Sequence, residues 1–288
     1  MSSPRPYLPD GISQELLESF SHEGQFMEVA ADLMKAVLPH LANASGLVPT
    51  DAPGWKGNDA ILMGMMVRLL KLGRAFYDQI IENRLEIAWI LTRCIYETSV
   101  RLRYLIKKND PSEFEGFLLA GSESEVRLRS DIERNIEERG GEKLPIEERM
   151  LASLDRHADA GFLEATFKKW RDCRRLGEAI GLDDEAYRGG FQIPSLAVHG
   201  FASDLFRLHL EAVDSEYYIP SPDWTRLRPQ ILTANSLFLI SAIADYVVFR
   251  LGQDEPGAKD WMEDLSALID ALLLVDQSHE RFVQSLKA

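Results

Sequence analysis

Apolar residues recur three and four apart almost from end to end of this 288-residue chain. Nowhere do β-branched residues alternate with polar ones over a useful length. Such spacing lines one face of an α-helix, so it predicts an all-α fold: a multi-helix bundle with long central antiparallel helices and no sheet beyond a short hairpin. No internal repeat with a period of about 20–50 residues is visible, which argues against the common helical solenoids. With 45% hydrophobic and 27% charged residues, the chain has ample material for a core.

Between Ile12 and Ala42 the pattern predicts two short helices broken near Gly24, followed by a loop through Gly46, Pro49, Pro53 and Gly54. Asn58 or Asp59 is placed to cap the next helix, whose apolar face carries Leu62, Met65, Met66, Leu69 and Phe76. A helix from Leu85 to Lys107, with Ile87, Ala88, Ile90, Leu91, Cys94, Ile95, Thr98, Leu102 and Leu105 inward, is expected at the centre of the bundle. From Ser122 to Arg149 charge of both signs crowds out large apolar residues, the composition of a solvated helix or hairpin. Helices are further expected at 146–158, 162–180, from Pro194 to about Glu211, and near 223–251 and 258–286. This pattern divides the chain into an N-terminal arm with short helices (1–56) and a main helical domain (57–288), the latter interrupted by a charged helical arm at about 111–160.

Charge bounds function. Asp and Glu total 46 against 32 Lys and Arg, a net charge of -14, so the chain as a whole repels phosphate backbones and nucleic acid would need a local basic patch. Lys168, Lys169, Arg171, Arg174 and Arg175 around Trp170 form one. Its first reading is a solvated face pairing with acidic residues at 131–148; an RNA contact is the sharper reading and is not favoured. Cys94 and Cys173 have no metal-ligand spacing, and the six histidines include no pair three or four apart and no Glu-x-x-His. No metal and no cofactor is therefore expected, and no Gly-rich phosphate loop or GxSxG elbow stands in the chain. The N-terminal Met-Ser-Ser-Pro-Arg-Pro-Tyr lacks the apolar run of a signal peptide, so a cytoplasmic, bacterial setting is expected. Ile231–Phe249 approaches the roughly 20 residues that span a bilayer. Asn235, Ser236, Ser241 and Asp245 interrupt it, which predicts a buried bundle helix and no membrane partner.

Two constellations carry chemistry. Arg93 and Glu97 stand four apart on one face of the expected central helix, surrounded by Ile90, Leu91, Cys94 and Ile95. Burial of such charges requires pairing, so they are either a structural ion pair or part of a site. Ser195 and His199 are also four apart, at what Pro194 marks as a helix start. Near that end the helix dipole disfavours an imidazolium, which leaves His199 as a base or hydrogen-bond partner, or else as a packing histidine. Gly200 beside it leaves room for another helix to approach.

Arg93-Cys-Ile-Tyr-Glu97, followed about a hundred residues later by Tyr187 and then Ser195-Leu-Ala-Val-His-Gly200, resembles a bacterial all-helical domain family of unknown function. Its signatures are an Arg-x-x-x-Glu helix and a Ser-x-x-Val-His-Gly helix start, and the resemblance covers roughly residues 57–250. That family is similar in helical layout to HEPN-type domains, which include ribonuclease toxins and abortive-infection proteins. The chain departs from HEPN nucleases in lacking their Arg and His five to seven apart on one helix: Arg207 follows His199 and stands only two before His209.

The resemblance implies a stress-response or phage-defence protein with RNA-directed activity. In that reading His199 is general base or acid, Arg93 binds an anionic group, Glu97 orients it and Ser195 completes the site. The alternative is a non-catalytic interaction or scaffold module, with a protein partner or a second copy of the chain, in which the four residues lock the bundle. Polar groups open to solvent favour the first; four fully buried and mutually bonded groups favour the second.

Overall fold

The computed structural model describes residues 11–47, 53–158, 170, 172–200, 202–214, 216–224 and 227–286. The fold is all-α, with one two-stranded antiparallel hairpin as the only sheet among the described residues. Two compact units emerge: one made of the residues up to Lys107 together with those from Cys173 onward, the other of Lys108–Asp172.

In the larger unit α1 (Gln14–Glu18) and α2 (Glu23–Ser45) precede α3 (Asn58–Ile81) and α4 (Leu85–Lys108). The short helices α7 (Cys173–Ile180), α8 (Asp184–Tyr187), α9 (Ile193–His199) and α10 (Ala202–Leu208) follow, then β1 (Leu210–Ala212) and β2 (Tyr218–Pro220). Two long helices, α11 (Pro229–Leu251) and α12 (Pro256–Ser285), close the unit. The smaller unit holds α5 (Pro111–Glu138) and α6 (Pro145–Ala158).

Helix α11 is the core element. It is apolar all round and packs against α2, α3 and α12, burying Leu232, Phe238, Leu239, Ile240, Ile243, Tyr246 and Val247. By length and composition it could cross a membrane, and 61% of its most apolar stretch is buried within the fold. It begins at Pro229, whose fixed φ and missing N–H suit a first helical position, so the helix starts six residues later than the spacing predicts.

Helix α4 is locked to α11 by buried polar contacts: Asn235 Nδ2 donates to Thr92 Oγ1 at 2.9 Å, and Ser99 Oγ donates to the Phe238 carbonyl at 2.9 Å. These bonds, with Ile95 and Tyr96 buried between them, turn the Thr92–Tyr96–Ser99 stripe inward. The adjacent stripe, Arg93–Glu97–Arg101, therefore runs along the rim. Ile87, expected inward, is exposed, and Cys94 is half-buried.

Neither Asn58 nor Asp59 caps α3; Gly57 holds that position at φ 53°. Asp59 instead receives Arg250, whose Nη1 donates to its Oδ1 at 2.7 Å and whose Nη2 donates to its backbone carbonyl at 3.1 Å. This pair, under the Trp55 ring 4.1 Å from the Arg250 guanidinium carbon, ties the start of α3 to the end of α11.

In the smaller unit the charged stretch 122–149 runs from the middle of α5, a 28-residue helix capped by Asp110 with Pro111 in its first turn, through a turn into α6. Gly140 and Gly141 adopt φ of 75° and 91° after α5, a left-handed turn that glycine accepts without strain. Glu147 then accepts from Arg139 and from the Leu144 amide, which hold its carboxyl below the usual range, the backbone bond first.

Candidate functional site

The helix expected to open at Pro194 does not start there. α8, a π-helical turn over Arg188–Gln192 and α9 form one continuous helical run from Asp184, and the run ends at His199. Pro194 has no N–H to give the preceding turn, and a widened turn accommodates that loss. Gly200, at φ 57° and ψ 41°, is a left-handed C-cap where an added Cβ would meet nothing within 4 Å among the described residues, so it is not a point of close helix approach. His199 thus stands in the last turn of its helix, and the dipole argument made for an N-terminal position does not apply to it.

That placement brings His199 to α4. Arg93 Nη1 lies 3.2 Å from His199 Nε2 across 106 residues of sequence. A guanidinium can only donate, so Nε2 is the acceptor in this contact and the ring proton belongs on Nδ1. Arg93 Nε donates to Glu97 Oε1 at 3.0 Å, and Arg101 Nη2 lies 3.1 Å from Glu97 Oε2. Two guanidiniums thus share one carboxylate, a local net charge of about +1 in an acidic protein. The Arg93 and Glu97 side chains are 20% and 21% exposed, and His199 is exposed, so the group faces solvent at the rim of the bundle.

Ser195 does not touch this group. Its Oγ donates to the Phe191 carbonyl of its own helix, a local bond beside the π-helical turn. The residue that does join, and that the sequence reading missed, is Phe191: its ring centre lies 4.6 Å from the Arg93 guanidinium carbon. Phe191 stacks on Tyr187, with ring centres 5.2 Å apart and planes 15° from parallel, and Arg174 covers Tyr187 at 5.7 Å. The result is a four-layer stack, guanidinium on ring on ring on guanidinium. Tyr187 and Phe191, four apart around Gly189-Gly190, were the available signal.

Of the basic run, Arg174 pairs with Asp184 at 2.9 Å and with Glu178 at 3.3 Å, while Lys168, Lys169 and Arg171 lie outside the described residues. No group of three or more His, Cys, Asp or Glu side chains is arranged to hold a metal among the described residues.

The site rests on a tightly filled floor. Tyr96 is buried beneath the π-helical turn, with Phe238 edge-on at 5.1 Å and Tyr187 and Phe191 each at 6.4 Å. Burial, aided by Cys173, Tyr187 and Asp183 nearby, pushes its phenol well above the usual range, and its hydroxyl has no hydrogen-bond partner among the described residues.

A family model described as a family of unknown function (DUF5677) matches residues 59–217, a shorter span than 57–250, and the match includes Arg93, Glu97, Tyr187, Ser195 and His199. No curated protein and no solved structure matches the chain.

Proposed function

The chain belongs to the family of unknown function DUF5677; because that membership brings no chemistry with it, we propose one from the geometry. The Arg93–Glu97–His199 group is an acid–base site on the rim of the bundle, acting on an anionic substrate, and RNA phosphodiester is the substrate class. The observation that carries this reading is the Arg93–His199 contact between a guanidinium and an imidazole that both face solvent. The sequence resemblance to a family laid out like HEPN-type domains is the ground for RNA over other anions.

In this reading a non-bridging phosphate oxygen takes the Arg93 N–H now given to His199, and the Nε2 lone pair is freed as the anion binds. Nε2 then accepts the proton of the ribose 2′-hydroxyl as its oxygen attacks phosphorus. The bond to the 5′-oxygen breaks, and that oxygen takes a proton from water. The products are a 2′,3′-cyclic phosphate and a 5′-hydroxyl. Glu97 holds the Arg93 fork in place, and Phe191 supports its face.

Incubation with single-stranded RNA, with end-group analysis of the fragments, tests this. Wild type yields 2′,3′-cyclic ends, and His199→Ala loses at least about a hundredfold in rate, the usual scale of general-base removal. Cleavage that persists in His199→Ala, or no cleavage by wild type, defeats the reading.

One observation favours a second reading, an interaction module. Phe206, Val213, Tyr217, Tyr218 and Ile219 on α10 and the hairpin are all exposed, Tyr217 by 67%. A second copy seated there gives concentration-dependent sedimentation that Ile219→Asp abolishes; a monomer at every concentration removes self-association.

A further inference from the structure

Beside the rim group, α4, α9, α10, α11 and α12 enclose a cavity of about 580 Å³. Its walls are apolar: Leu85 and Trp89 from α4, Ile193 and Leu196 from α9, with Leu208 and Ile231. Volume and lining are those of a site for a small organic molecule. Trp89 stands one turn before Arg93 and Leu196 three residues before His199, yet neither Arg93 nor His199 lines the cavity.

The polar groups of the lining decide what it takes. Asp204 and Glu280 are already engaged: Asp204 Oδ2 lies 3.7 Å from His209 Nε2, and Glu280 Oε1 accepts from Gln230 Nε2 at 2.8 Å. Arg207 and Arg228 line the same cavity, and among the described residues their side chains make neither ion pair nor hydrogen bond. The Trp89 indole N–H and Gln230 Oε1 are buried without a partner and closed off from the cavity. The unspent capacity is therefore two guanidiniums beside an apolar wall.

We propose that this cavity binds a small amphipathic organic anion, with a flat apolar body against Trp89, Leu196 and Ile231 and an anionic head at Arg207 and Arg228. This goes beyond the acid–base reading and shares none of its residues. The two guanidiniums give a carboxylate, sulfonate or phosphate head its orientation. The aromatic and branched aliphatic walls exclude a ligand that is polar throughout.

Titration with 8-anilinonaphthalene-1-sulfonate, which joins a flat apolar body to an anionic head, tests this on the full chain by fluorescence. One saturable site is expected. Arg207→Gln and Arg228→Gln each weaken it about tenfold, the scale of one hydrogen bond to a charged group. The uncharged N-phenyl-1-naphthylamine binds about tenfold more weakly than the sulfonate, and Leu196→Trp fills the cavity and abolishes the signal. The arginine variants alter exposed side chains, so they carry the test if Leu196→Trp does not fold. Equal affinity for the two dyes, or arginine variants indistinguishable from wild type, overturns the anionic head. A signal that survives Leu196→Trp in a folded protein, or that is lost instead in Phe206→Ser, overturns the cavity as the binding place.

Discussion

Gly190 lies directly against the ring of Tyr96, so that a Cβ at position 190 would overlap the ring at Cγ and Cδ2 and come within 3.0 Å of Phe238 Cζ. Gly177 approaches the same residue from another side, with a Cβ there 3.0 Å from the Tyr96 hydroxyl. The two glycines let α7 and the π-helical turn close over Tyr96, and the turn in turn sets where Phe191 and His199 stand. Gly190→Ala should therefore cost about 1–3 kcal/mol, the scale of overpacking a filled core. Urea denaturation measures it; a variant as stable as wild type would show that the turn is not packed on Tyr96.

Tyr96 itself makes a contrasting prediction. Its buried hydroxyl has no partner among the described residues, so Tyr96→Phe removes an unmet polar group and leaves the ring contacts intact. Stability should be unchanged or higher, whereas Tyr96→Ala should cost about 3–5 kcal/mol through the cavity it leaves. Thermal melts of both variants decide it, and a strongly destabilised Tyr96→Phe would mean that the hydroxyl is bonded after all.

How far the sequence carried the reading is visible in α4. Spacing alone located its ends to within a residue and marked it as apolar over much of its circumference. It could not decide which of several apolar stripes faces α11, because that depends on Thr92 and Ser99 meeting Asn235 and the Phe238 carbonyl, contacts more than a hundred residues distant. Arg93 and Glu97 were legible as a pair from their i, i+4 spacing. Phe191 was not legible as the ring beneath Arg93, since the π-helical turn changes the angular position of everything after Tyr187. The same turn explains why Pro194 misled: proline more often opens a helix than follows a widened turn within one.

The Arg250 clasp predicts a clear difference between two basic residues. Its side chain is 7% exposed, and its guanidinium forks onto the Oδ1 and backbone carbonyl of Asp59 and lies under Trp55. Arg250→Ala should destabilise by about 2–4 kcal/mol, because packing, cation–π contact and both bonds go together. Arg250→Lys keeps the charge but has neither the planar fork nor its stacking face, and should recover less than half of that loss. Full recovery by lysine in urea denaturation would reduce the clasp to a point charge.

Asp276 gives a pH dependence. Burial first, then Glu280, and to a smaller degree Glu185 hold its carboxyl above the ordinary value of 3.8, against an opposing effect of His279. The folded state thus binds this proton more tightly than the unfolded state. Its contribution to stability is fully present below the ordinary value and is lost as pH rises through the raised one. Asp276→Asn should accordingly be more stable than wild type at pH 7, with the difference shrinking as pH falls toward about 4. A difference that stays constant across that window would show that the carboxyl is not desolvated.

His199→Ala separates the proposed site at Arg93 and His199 from a structural lock when stability and RNA cleavage are measured on the same preparation. His199 is exposed at the end of a short helix, so its removal should change unfolding free energy by no more than about 0.5 kcal/mol. Cleavage should nonetheless be lost. A loss of about 2 kcal/mol or more in urea denaturation would make the contact a structural lock, and cleavage at the wild-type rate would remove His199 from the chemistry.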